Sequence, residues 1–138
     1  ERGRFQAAEA HLADAARLDP FDEDVAMARA RVLVELGRRR DAVTVLDEIR
    51  ARLGPSLSRA HLASDIAAGG GDLEAAIRHA YDVALFRPWA VDVQTRLAEL
   101  LGMAGERGRA RAHLAEALRL DPAFEPAQRV LRTLDGGR

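Results

Sequence analysis

The chain has 138 residues, with 21 basic residues, all arginine, and 22 acidic residues, which gives a formal net charge of −1. This balance argues against nucleic acid or an anionic membrane surface as a main target, since both usually need a basic excess. The sequence has no cysteine, which excludes disulfides, thiolate metal sites and cysteine nucleophiles. It also has no apolar run long enough to cross a bilayer, so we expect no membrane insertion.

In chain order, apolar residues at helical spacing predict helices over 4–18, 23–36, 41–53, 58–68, 73–86, 91–104, 109–120 and 125–134. No segment has the alternating pattern of a strand. Asp22 is a candidate N-cap for the second helix, because its short side chain can accept from the first free backbone N–H groups.

A period of 34 residues runs through these predicted helices. Glycine and alanine each keep it over four copies, at Gly3, Gly37, Gly71 and Gly105, and at Ala8, Ala42, Ala76 and Ala110. A proline closes each unit, at Pro20, Pro55, Pro88 and Pro122. Such a period indicates an array of repeated supersecondary units.

The repeated residues have a physical role in a pair of helices. The glycines fall at tight turns, where a helix C-terminus often needs a positive φ. A small alanine at the crossing point lets two helices approach closely. One hairpin cannot bury both faces of its helices, whereas stacked hairpins can. The pattern therefore predicts an all-α solenoid of antiparallel helical hairpins.

The pattern resembles the tetratricopeptide repeat (TPR) family. The turn glycines and second-helix alanines match it, as do Leu18-Asp19-Pro20 and Leu120-Asp121-Pro122. The resemblance implies one TPR domain of bacterial type over 1–138: the second helix of a repeat at 1–22, repeats at 23–56, 57–90 and 91–124, and a capping helix and tail at 125–138.

The sequence departs from the family at a few positions. Ala26, Ala60 and Gln94 replace an aromatic residue of the first helix, and Arg29 stands where the family prefers leucine. We expect the array to be capped at its C-terminus and cut at its N-terminus. An exposed first helix could then support a homodimer.

The resemblance also implies a concave groove lined by the first helix of each repeat. The positions carried over from the family are Asp24, Met27, Arg31, Val34, Glu35, Ser58, His61, Asp65, Ala68, Gly69, Asp92, Thr95, Glu99, Gly102 and Met103, with Arg129 added by the capping helix. The charge balance of this set is shifted toward negative by Asp65, Asp92 and Glu99. We therefore expect a peptide ligand with some basic character and small apolar side chains.

No residue pattern in the chain indicates catalysis, a cofactor or a metal. His11, His79 and His113 share one repeat position, which suggests a metal row, but copies a repeat apart are too distant for common ligation, so surface positions are favoured. Arg38-Arg39-Arg40 is interpreted as a solvated turn rather than a phosphate site. Trp89 is expected to pack between hairpins, with a protruding partner anchor as the alternative.

The sequence therefore favours a non-enzymatic protein–protein interaction module that binds a peptide or partner protein. Two alternatives remain at this point. The chain can be the docking arm of a larger enzyme, such as a transferase, whose catalytic domain lies elsewhere. It can also be a homo-oligomeric assembly scaffold.

Overall fold

The computed structural model describes residues 1–136, and within that range it contains eight helices and no strand. In chain order the helices are α1 (Arg2–Leu18), α2 (Glu23–Glu35), α3 (Arg39–Leu53), α4 (Leu57–Gly69), α5 (Leu73–Phe86), α6 (Val91–Met103), α7 (Arg107–Leu120) and α8 (Glu125–Gly136). The predicted all-α fold is confirmed. The end of the predicted tail, residues 137 and 138, lies outside the described range.

The chain forms two compact units, the first ending at Asp72 and the second beginning at Leu73. In the first unit α1 packs on α2, α2 on α3, and α3 on α4. In the second unit α5 packs on α6, α6 on α7, and α7 on α8, while α8 also contacts α6. Among the described residues, no helix is long and apolar enough to span a bilayer.

Small residues occupy the most buried positions in both units. Ala30 and Ala42 in the first unit, and Ala98 and Ala110 in the second, have no exposed surface. Each pair belongs to the two helices of one hairpin, α2 with α3 and α6 with α7. The alanine period therefore marks helix faces packed too closely to admit a larger side chain.

Glycine closes the turn between the two helices of a hairpin. Gly37, Gly71 and Gly105 have φ of 75°, 77° and 82°, as predicted. After Gly105 the amide of Glu106 donates to the Leu101 carbonyl at 2.9 Å, which satisfies a carbonyl at the end of α6. Gly3 does not follow this pattern. It lies inside α1 and does not have a positive φ.

Side chains from the following helix hold the turns between hairpins. Gln94 Nε2 donates to the Pro88 carbonyl at 2.8 Å. Gln128 repeats this bond 34 residues later, donating to the Pro122 carbonyl at 2.9 Å. Gln94, at the family's aromatic position, is buried and uses its amide to hold the turn. The guanidinium of Arg29, where the family prefers leucine, lies 2.9 Å from Glu9 and joins α2 to α1.

A buried polar cluster holds the remaining turn of the first unit. Arg59 is only 4% exposed, and it donates to the Gly54 carbonyl at 2.7 Å. Its Nε lies 2.9 Å from Glu23 Oε1, which also accepts from the Ser56 hydroxyl at 2.7 Å. The Ser56 hydrogen bond and, more weakly, Arg59 lower the pKa of Glu23 against the opposing effect of burial. Asp22 caps α2 as predicted, accepting from the Val25 amide at 3.0 Å.

Two neighbouring glycines provide a matched test of the turn. Gly105→Ala should lower the free energy of unfolding by about 1–2 kcal/mol, because a side chain at positive φ is strained. Gly108→Ala should instead raise it by about 0.5–1 kcal/mol, since Gly108 lies inside α7 with open space around it. Urea denaturation of both variants measures the two effects. Equal effects at the two positions would contradict the assigned turn.

Candidate functional site

The predicted groove positions fall on α2 and α4 in the first unit, and on α6 and α8 in the second. In the first unit, where α2 contacts α4, Met27 is half-buried. The charged and polar positions there are exposed: Asp24, Arg31, Glu35, His61 and Asp65.

The second unit gathers its predicted positions around a cavity of about 680 Å³ between α6 and α8. Its lining comprises Thr95, Glu99, Gly102 and Met103 of α6, Arg107 of α7, and Pro126, Arg129, Val130, Thr133 and Leu134 of α8. Five of these were predicted groove residues, whereas Asp92 is not part of the lining.

The apolar part of this cavity depends on a close approach of α8 to α6. A Cβ added to Gly102 would meet the Leu134 Cδ2 atom at 3.0 Å, so only glycine fits without displacement. Leu134 is buried, while Met103 beside Gly102 is 62% exposed. Thr95 lines the cavity, but its hydroxyl donates to the Val91 carbonyl of its own helix at 2.8 Å.

Among the described residues that line this cavity, arginines outnumber carboxylates. Glu99 is the only carboxylate of that described lining, and it accepts from Arg96 at 2.9 Å. Asp92, outside the cavity, lies 3.8 Å from Arg87. Asp92 and Glu99 thus each have an arginine neighbour, while two further arginines line the cavity, so its described lining does not carry the expected acidic tilt.

The shared repeat position of three histidines leads to three different environments. His11 is exposed, His113 is half-buried, and His79 is only 2% exposed, so the expected surface position is wrong for His79. The 34-residue period alone does not predict that His79 is buried. Among the described residues, no group of His, Cys, Asp and Glu side chains could hold a metal ion.

His113 belongs to a hydrogen-bonded chain that ends at the α5–α6 turn. Arg109 donates to the Tyr81 hydroxyl at 2.8 Å, and that hydroxyl lies 3.1 Å from His113 Nε2. His113 Nδ1 lies 2.7 Å from the Gln94 Oε1, which can only accept. Since the Gln94 amide nitrogen already donates to Pro88, His113 carries its proton on Nδ1 and accepts from Tyr81.

Two features at the turns can be compared with the sequence predictions. Trp89 is 73% exposed, so the favoured packing between hairpins is wrong, and a role as a partner anchor stays a prediction. Arg38, Arg39 and Arg40 are exposed, as expected for a solvated turn. In the basic run, Arg38 pairs with Asp41 at 2.6 Å. Arg39 instead lies across the α4 C-terminus, where a Cβ on Gly69 would be 2.9 Å from its Nη1.

The geometry defines a helical-hairpin repeat protein of the α-solenoid class. A family model described as tetratricopeptide repeat matches residues 1–64. This match covers slightly less than half of the chain, and helical hairpins of the same kind continue through residue 136, so the chain is similar to the tetratricopeptide repeat family along its described length.

Solved TPR structures share this fold. A crystal structure of MamA matches with a TM-score of 0.75 at 16% identity, covering 98% of this chain and 79% of that one. A TPR protein from Parabacteroides merdae gives 0.74 at 13% identity, covering 98% and 55%. YrrB, described as a TPR protein with an unusual peptide-binding site, gives 0.67 at 18% identity, covering 94% and 67%. No match was found among curated proteins.

The environment of His113 predicts how its imidazole titrates. Burial and, second, the positive charge of Arg109 lower the pKa of His113. Arg109→Ala should raise that pKa part of the way toward its ordinary value, because burial, the larger cause, remains. Imidazole NMR measures the titration, and Arg111→Ala, which removes an exposed arginine paired with Asp135, is the matched control. An unchanged pKa in the Arg109 variant would contradict the assignment.

Proposed function

We propose that the protein is a non-enzymatic protein–protein interaction module that binds a peptide or partner segment in the cavity between α6 and α8. The observation that carries this proposal is the convergence of five predicted groove residues on one cavity of about 680 Å³. This volume lies within the range of about 300–1,000 Å³ that is typical of ligand pockets.

The character of the lining supports a peptide ligand. Apolar side chains from α6 and α8 lie beside two arginines and a glutamate, a mixture that suits a segment with both apolar and charged groups. The fold is shared with YrrB, whose description names a peptide-binding site. Pre-formed helices hold this lining, so little ordering would be required of the protein on binding.

Met103 provides the direct test of this proposal. Peptides selected from a random display library on the intact protein should lose affinity at least about tenfold with Met103→Asp, because the new carboxylate would have to be desolvated beside the bound apolar group. Leu85→Asp is the matched control, since Leu85 is similarly exposed at 66% but lies outside the cavity. Fluorescence anisotropy measures affinity, and circular dichroism checks the fold.

The opposite pattern would contradict the proposal. If Leu85→Asp abolished binding and Met103→Asp did not, the binding surface would be the α5–α6 turn, where Trp89 is also exposed.

A second candidate is self-association through α1. None of the residues of α1 is buried, and Leu18 at its end is 89% exposed. Light scattering coupled to size-exclusion chromatography should then show a dimer that grows with concentration. Leu18→Glu should shift it toward the monomer, while Leu53→Glu at the end of α3 should not. A monomer throughout the concentration range would rule out this candidate.

A further inference from the structure

We propose that the α6–α8 cavity selects an acidic segment that carries a large apolar side chain. This inference rests on the proposed function and names the chemistry of its ligand. It reverses the basic character that the sequence alone suggested for that ligand, and it is argued from the charges that the helices leave without close partners.

Arg107 is the first of these charges. It is the first residue of α7, it is exposed, and it lines the cavity. Among the described residues no carboxylate lies within ion-pair distance of it. Its neighbour Arg109, by contrast, is held by Glu106 at 2.7 Å. Arg107 therefore presents a positive charge that no carboxylate side chain among the described residues of the second unit neutralises.

Arg129 carries the second positive charge without a close partner. Its guanidinium lies 3.9 Å from Glu125, at the limit of an ion pair, with its side chain 64% exposed. The same Glu125 oxygen accepts from Arg132 at 3.0 Å, which is the shorter contact. Arg129 therefore forms only a weak ion pair with Glu125. Its guanidinium is available to a ligand carboxylate that offers better geometry.

Glu99, the carboxylate of the described lining, does not offset these two arginines. Glu99 already accepts from Arg96, which lies on the same helix and outside the lining. A basic ligand would have to compete with Arg96 for Glu99 while approaching Arg107 and Arg129. An acidic ligand meets two arginines directly, so charge complementarity favours it.

The apolar lining sets the second requirement. Met103, Val130 and Leu134 line the cavity together with Gly102, on which Leu134 packs closely. Methionine is flexible and polarizable, which suits an apolar side chain of variable shape. The part of the lining that the structure describes has no aromatic side chain, and it therefore lacks the stacking surface that single-stranded nucleic acid uses. An acidic peptide segment therefore fits better than a nucleic acid, although both carry negative charge.

The test begins with short random peptides displayed and selected on the intact protein. Sequencing should show aspartate or glutamate enriched beside leucine, isoleucine, methionine or phenylalanine. Synthetic copies of the enriched peptides should bind more weakly as salt is raised, because exposed ion pairs are screened.

Charge reversal then tests the two arginines. Combined Arg107→Glu and Arg129→Glu should reduce the affinity of acidic peptides by about tenfold or more, and selection on this variant should enrich lysine and arginine instead. Arg119→Glu is the matched control, because Arg119 is an exposed arginine of α7 that does not line the cavity and that pairs with Glu116 rather than with Glu125. It should leave both the affinity and the selected sequences unchanged.

The outcomes separate this inference from the function on which it rests. Peptides that Met103→Asp releases but that are neutral or basic would overturn the acidic preference and leave cavity binding intact. Failure to select any peptide that Met103→Asp releases would contradict both. Displacement of acidic peptides by a single-stranded oligonucleotide at equal charge concentration would overturn the choice of a peptide over a nucleic acid.

Discussion

Close approach of neighbouring helices through small residues is the constraint on which this structure depends. Four alanines at the hairpin contacts have no exposed surface: Ala30, Ala42, Ala98 and Ala110. Their small side chains determine how closely the two helices of each hairpin pack, and they leave no room for a larger group. Dispersion contacts at this density contribute stability only while the helices stay close. The same constraint shapes the candidate site, since a Cβ on Gly102 would lie 3.0 Å from the Leu134 Cδ2 atom and would require Leu134 to shift.

At the turns, polar side chains bond backbone carbonyls that close helix packing leaves without partners. A turn between hairpins exposes a backbone carbonyl at the end of one helix, and a side chain of the next helix reaches back to bond it. Gln94 and Gln128 do so in the second unit, and Arg59 does so in the first. Because Arg59 is buried, Glu23 beside it supplies the opposite charge that a buried cation needs. These bonds fix the turns without enlarging the core.

Apolar residues at helical spacing predict all eight helices of the described chain. The 34-residue period of glycine predicts the positive φ of the three turn glycines, because a tight turn is a local feature of the backbone. The resemblance to TPR proteins also selects five of the cavity residues. It does not predict the charge of that cavity. The pairing of Glu99 with Arg96, and of Glu125 with Arg132, depends on side-chain directions along helices that a list of groove positions does not contain. The burial of His79 and the exposure of Trp89 were missed for the same reason, since each depends on neighbours distant in sequence.

The central claim is that a partner segment binds between α6 and α8. The chain contains only two methionines, Met27 on α2 and Met103 in the cavity, so methyl-labelled methionine gives one NMR probe in each half of the predicted groove. Titration with a selected acidic peptide should shift the Met103 methyl signal in a saturable way and leave the Met27 signal in place. A saturable shift of Met27 with Met103 unmoved would contradict the account, because it would place the partner on the first unit.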